Sequence, residues 1–173
     1  PRIWENDPQQ GRQRLDEIRT LTRGALAEMR NLLVELRPSA LIDTDFPDLL
    51  QQLTEAFAGR SGIPIDLEIQ GDCRLSPDSK VAAYRITQEA LNNVSKHSNA
   101  TRCRVSSRCT DDRITLKISD DGSGFNSENI PPDSLGVSIM KERADEIGAA
   151  LDIHSEPEKG TEVVVTWTRR KEI

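Results

Sequence analysis

Downstream of Pro38 the spacing of apolar residues switches back and forth between a helical and a strand period, and that order limits the chain to few folds. Residues 43–59 place Leu49, Leu50, Leu53, Ala56 and Phe57 on one helix face, with Asp45 or Thr44 able to cap the start and Gly59 and Gly62 to close the end. Residues 63–69 alternate apolar and polar side chains, which predicts a half-buried strand, and Pro64 suits an edge or a strand start. Ser76 and Pro77 open a helix that runs to about Ser98. Residues 103–109 and 114–118 read as a hairpin turning at Asp111 and Asp112. A helix over 135–147 is closed by Gly148, and a second hairpin pairs 150–155 with 161–167. Strands interleaved with helices predict an α/β two-layer sandwich, and the hairpins require a mixed sheet. A doubly wound dinucleotide fold fits poorly, since no Gly-x-Gly-x-x-Gly follows the first strand.

Ahead of this unit, Leu15, Ile18, Thr22, Ala25, Met29, Leu32 and Leu36 step by three and four, giving a long amphipathic helix that Pro38 ends. Such a stripe cannot be buried by one helix and needs partner helices. The natural division is therefore 1–38 and 39–173. The formal net charge of −6 argues against a general nucleic-acid binder. No stretch reaches the ~20 apolar residues of a membrane span, and no run of these residues shows the secretory pattern of basic start, apolar core and small-residue cleavage site. Cys73, Cys103 and Cys109 cannot all pair and lack Cys-x-x-Cys spacing, so a reducing, cytoplasmic setting is expected.

Four short motifs carry chemistry. At 3.6 residues per turn Glu89, Asn93, Lys96 and His97 share one helix face. A carboxylate, an amide oxygen for a hard cation, an ammonium and an imidazole on one stripe suit a metal-bound phosphate chain, with Glu89 able to orient a nucleophile or take its proton. Asp120, Asp121, Gly122, Ser123 and Gly124 put carboxylates at a strand end and glycines in a tight turn. Gly136 precedes a helix whose free amides favour phosphate. Gly160 and Thr161 open the last strand. Taken singly these are also what a solvated helix face, an acidic turn, a plain helix entry and a hairpin look like.

In this order the four motifs resemble the N, G1 and G2 boxes and terminal Gly-Thr of the Bergerat-type ATP-binding domain. Residues 85–93, 96–98 and 140–144 resemble the sensor histidine kinases that pair with NarL-type response regulators, and residues 32–38 are similar to their second dimerisation helix. The resemblance covers nearly everything from Arg14 to Trp167. It implies that ATP and Mg²⁺ are the cofactors. Asp120 would hold the adenine amino group, and Asn93 would be the Mg²⁺ ligand. Lys96 and His97 would face the phosphates, while Gly122, Gly124 and Gly136 shape the pocket and Thr161 lines its adenine end. Residues 125–135 would form the ATP lid, and Glu89 would be the catalytic assistant.

Two departures from the family pattern stand out. Ser134 occupies the usual position of the first G2 glycine. The only histidines are His97, in the ATP-site motif, and His154, in a strand. The family's acceptor histidine belongs to a first dimerisation helix preceding Arg14, so the chain is expected to be a kinase fragment unable to phosphorylate itself. Expected partners are a NarL-type response regulator, an acceptor helix of the same or a second chain, and a second copy in a homodimer. A non-catalytic dimerisation module with a decayed ATP site, or another ATPase of the superfamily, are the competing readings.

Overall fold

A computed structural model describes residues 11, 14, 15, 18, 22, 38–126 and 135–168. Its elements are α1 (Pro38–Asp43), α2 (Phe46–Ser61), β1 (Ile65–Gln70), α3 (Pro77–Asn93) continued by a π-helical turn (Val94–Ser98), β2 (Cys103–Cys109), β3 (Arg113–Asp120), α4 (Leu135–Glu146), β4 (Ala150–Ser155) and β5 (Thr161–Thr168). The five strands form one sheet in the order β1-β2-β3-β5-β4. Only β1 and β2 run parallel, joined by the α3 crossover, and every other pair is antiparallel. The expected mixed-sheet sandwich is the observed one.

Alternation along the strands decides which face is covered. Val105, Ile114, Leu116, Ile118, Val163, Val165 and Trp167 are buried and pack with Leu50, Phe57, Tyr84, Ile86, Leu91 and Met140 from the helices. The opposite face carries Asp66, Glu68, Arg104, Lys117 and Glu162, with Lys117 and Glu162 paired at 3.0 Å. Charged residues on the edge strand β1 discourage pairing with another sheet.

Helix ends follow the expected caps in part: Asp45 precedes α2 without a side-chain cap bond, and the helix runs on through Gly59. The Ser76 hydroxyl accepts from the Ser79 amide at 3.3 Å, and Pro77 takes the first turn. Gly62, at φ 72°, closes α2 in the left-handed region. Pro38 is the first residue of α1, a position that suits its locked φ and missing N–H. The long amphipathic helix expected over residues 9–36 lies mostly outside the described residues; Leu15 and Ile18 from its stripe are exposed.

Lys80 is the one buried lysine among the described residues. Its ammonium donates to the carbonyls of Ile42 and Thr44, both at 2.7 Å, and so fastens the end of α1 to the first turns of α3. Lys80→Met should lower stability by about 2–3 kcal/mol, the cost of removing a charged donor from two carbonyls. Thermal melts of the variant and the parent chain check this.

The cysteines depart from expectation. A reducing setting predicts no cross-link, yet Cys73 and Cys109 are joined with Cα atoms 5.2 Å apart, leaving Cys103 as a buried thiol. Spacing in sequence did not reveal this pair because the contact is made by topology: β1 lies beside β2 in register, which brings the residues after Gln70 next to Cys109.

Candidate functional site

The site grows from the point where β3 ends. Asp120 closes the strand, pairs with Cys103 on one side and Thr161 on the other, and is followed by a turn through Gly122 and Gly124. A Cβ on Gly122 would lie 2.3 Å from the Ser98 carbonyl oxygen, and one on Gly124 2.0 Å from that of Glu156. Both glycines are therefore required by close backbone approach, as the sequence implied for this turn. The turn is tied on both flanks: the Ser123 amide donates to the Ser98 carbonyl at 2.7 Å, and the Ser123 carbonyl accepts from the Glu158 amide at 2.7 Å.

Sequence reasoning named Asp121 in the turn motif without its supporting role, and it missed Ser155. The Asp121 carboxylate accepts from the Thr101 amide and hydroxyl and the Arg102 amide at 2.7–2.9 Å. Those donors, the Thr101 hydroxyl first, hold its carboxyl below the usual range. Ser155, buried at the end of β4, accepts from the Phe125 amide at 2.9 Å and donates to the Gly160 carbonyl at 3.0 Å. It thus fastens the chain leaving the turn to the β4–β5 connection. Neither signal is legible in a linear reading, since both depend on contacts across the fold.

Beside the turn lies a cavity of about 520 Å³, within the range that holds small-molecule ligands. Asn93, His97, Asp120, Gly124, Gly136 and Thr161 all line it, together with the apolar Ile118, Val137, Met140, Ile153 and Val163. Six of the residues singled out from the sequence thus meet in one hollow. Gly122 sits beneath Asp120, donating its amide to the carboxylate at 2.9 Å. Glu89 stands at the margin: a Cβ on Gly136 would lie 2.5 Å from the Glu89 Oε1.

Lys96 does not line the hollow, and the reason is local. The shared face assumed 3.6 residues per turn, but Val94–Ser98 is a π-turn. The Ser98 hydroxyl donates back to the Val94 carbonyl at 2.8 Å, and Asn99 then takes the left-handed region at φ 52°. The wider turn leaves Lys96 and His97 exposed, with only His97 on the rim. His154 alternates away from Ile153, which faces the cavity, and is exposed on the other side of β4. Most of the expected lid, residues 127–134, lies outside the described residues, as does Ser134.

Burial pushes the Asp120 carboxyl up; the Gly122 amide opposes this, nearby Asp121 adds to it, and the Thr161 amide opposes it again. A half-buried carboxylate among apolar walls is a strong acceptor for a neutral N–H donor on a flat, apolar ring. Gly136→Ala should act on Glu89 rather than on the fold, because the obstructing atom is the end of a flexible side chain. We expect a change in melting temperature of no more than a few degrees, with displacement of Glu89 read from its side-chain NMR resonances.

Residues 78–171 match the family described as histidine kinase-, DNA gyrase B- and HSP90-like ATPases. The chain belongs to this ATPase family. Residues 1–41 match a second family, described as histidine kinase. Among curated relatives, the sensor histidine kinase LiaS of Bacillus subtilis (strain 168) is 37% identical over 138 residues, covering 80% of this chain and 38% of LiaS. The sensor protein VraS of Staphylococcus aureus (strain COL) is 34% identical over 160 residues, covering 92% of this chain and 46% of VraS. The chain thus spans less than half the length of either relative. A solved histidine kinase domain from the Erythrobacter litoralis EL346 blue-light activated kinase superposes with a TM-score of 0.58 at 19% identity, covering 85% of this chain and 73% of that one. That likeness shows the shared fold. No helix among the described residues is long and apolar enough to cross a membrane.

Proposed function

We propose that residues 39–173 are the ATP-binding catalytic part of a sensor histidine kinase and that residues 1–38 are half of its dimerisation hairpin. The reading is carried by one observation: Asp120, Asn93, Gly136 and Thr161 line a single cavity floored by apolar side chains. In this reading Asp120 accepts from the adenine amino group, and Ile118, Met140, Ile153 and Val163 enclose the ring. The sugar and phosphates point toward Asn93, His97 and the start of α4, whose free amides face negative charge.

The donor set for a metal is narrow. Asn93 offers one amide oxygen to the cavity, and no cluster of three or more His, Cys, Asp or Glu side chains suited to a metal occurs among the described residues. That fits Mg²⁺, which is commonly held by one or two protein oxygens plus phosphate oxygens and water. Bound there, Mg²⁺ would neutralise charge on the phosphates. Glu89, at the margin beside Gly136, would orient or deprotonate an acceptor imidazole in this reading. The acceptor is a histidine on a dimerisation helix, in the same chain or a partner copy, and the phosphoryl group passes on to a NarL-type response regulator. His97 and His154 are not assigned this role, being respectively on the cavity rim and on the far side of β4. A homodimer is supported by the exposed stripe residues Leu15 and Ile18, and a cytoplasmic location by the need for ATP.

The test is a transfer assay. The chain is incubated with Mg²⁺ and γ-labelled ATP, alone and with a separate helix bearing a histidine followed by an acidic residue. Label on the added helix but not on the chain is expected. Tight nucleotide binding with no transfer to any such helix would leave an ATP-binding module without kinase activity.

A further inference from the structure

The Cys73–Cys109 bond lies outside the nucleotide cavity, and nothing in the proposed chemistry uses it. Both cysteines are buried, and the loop that delivers Cys73 is anchored closely to β2. A Cβ on Gly71 would lie 2.0 Å from the Cys109 carbonyl oxygen. A third buried residue occupies the same spot. The Ser107 hydroxyl, 1% exposed, lies 3.6 Å from the Cys73 sulfur and 3.7 Å from the Cys109 sulfur. These two sulfurs are its only described hydrogen-bond partners. The Cys73 sulfur also lies 3.8 Å from the Gln70 carbonyl oxygen. A permanent cystine offers a buried hydroxyl only weak acceptors. A pair of thiols there would gain the Ser107 oxygen and the Gln70 carbonyl as acceptors, so both sulfur states are accommodated.

We propose that Cys73 and Cys109 form a reversible dithiol–disulfide site, with Ser107 as the polar group that supports the reduced state and an external dithiol as the exchange partner. In the exchange a thiolate of the dithiol attacks one sulfur of the cystine and the Cys73–Cys109 bond breaks. The mixed disulfide is then resolved by the second thiol of the reductant. Two electrons and two protons pass to the protein, which ends as two thiols, and the reductant ends as its own disulfide. Cys73 is reached by opening one short loop, since Asp72 and Arg74 on either side are exposed. Cys103 does not compete: burial, with Asp120 nearby, pushes its thiol up to about 12.

The covalent loop is large and well placed. It spans 36 residues of sequence separation and encloses all of α3 and the π-turn, hence Glu89, Asn93, Lys96 and His97. Opening it enlarges the unfolded ensemble and lowers the melting temperature by roughly 10 °C.

The experiment is a redox titration of the whole chain in dithiothreitol buffers of graded poise, with thiols trapped by alkylation and counted by mass spectrometry. One reversible two-electron transition confined to Cys73 and Cys109 is expected, with the reduced chain folded and melting roughly 10 °C lower. At fixed poise Ser107→Ala should raise the disulfide fraction relative to dithiol by about two- to tenfold, because the thiols lose their partner. A bond that resists excess dithiothreitol in the folded chain would make it a permanent cross-link. Failure to form in oxidising buffer, or a Ser107→Ala equilibrium equal to the parent's, would equally overturn the proposal. The titration of the unmutated chain decides the matter even if the serine variant misfolds.

Discussion

Replacing Asp120 with alanine weakens nucleotide binding by about 10- to 100-fold and leaves the chain folded. A hydrogen bond to an ionised group contributes about 1.5–3 kcal/mol, and each 1.4 kcal/mol is tenfold in affinity. The fold survives because Asp120 is held against its own preference. Burial raises its carboxyl, so folding favours the protonated form more than the unfolded chain does. The sign follows from linkage: a carboxyl raised by folding supports the fold below its unfolded value, and that support fades as pH rises through the folded value. At neutral pH that support is gone, and alanine leaves the buried Gly122 amide without its acceptor at 2.9 Å, a cost of about 1–3 kcal/mol that the fold absorbs. For the ligand the dependence is reversed. The adenine amino group needs the ionised acceptor, so affinity falls as pH drops through the raised value, earlier than an exposed aspartate would cause. Calorimetric titrations of parent and variant against AMPPNP across the acid range check both points. The variant should lack the acid limb as well as the affinity.

Gly160→Ala should damage stability and binding together. The residue sits at φ 78°, and an added Cβ would lie 2.0 Å from the Asp120 carbonyl oxygen and 3.2 Å from the Asp121 Cα. Both obstacles are backbone, so no side-chain rotation relieves them, and the Asp120–Thr161 pairing must open. A left-handed alanine costs about 1–2 kcal/mol, and overpacking adds about 1–3 kcal/mol. We expect a loss of about 3 kcal/mol or more. Gly148 gives the control: at φ 64° it has nothing within 4 Å of an added Cβ, so Gly148→Ala should cost only about 1–2 kcal/mol. Denaturant melts of the two variants side by side separate strain from collision. Equal losses would show that the close approach at Gly160 is not what matters.

The sheet and helices were legible because their signals are local. Alternation in 103–109 and 161–167 and the Ser76-Pro77 start leave little freedom, and the structure places those elements within a residue or so. The parallel pairing of β1 with β2 was not legible, since no hairpin joins them. The meeting of Asn93, Asp120, Gly136 and Thr161 followed from a resemblance, as no local rule links residues so far apart in sequence. Lys96 falls outside the cavity lining because the even helical period does not hold through Val94–Ser98, where a serine back-bond and a left-handed asparagine widen the turn. The supporting role of Asp121, Ser155 and the Cys73–Cys109 bond escaped because each is defined by a distant partner.

The account stands or falls on whether one hollow receives a nucleotide. The most direct measurement is a two-dimensional amide NMR titration of the chain with AMPPNP, with and without Mg²⁺. Saturable shifts centred on Asn93, Gly122, Gly124, Gly136 and Thr161, tightened by Mg²⁺, are predicted. Shifts absent there at millimolar nucleotide, or clustered on the outer face of the sheet around Arg104 and Lys117, would contradict it.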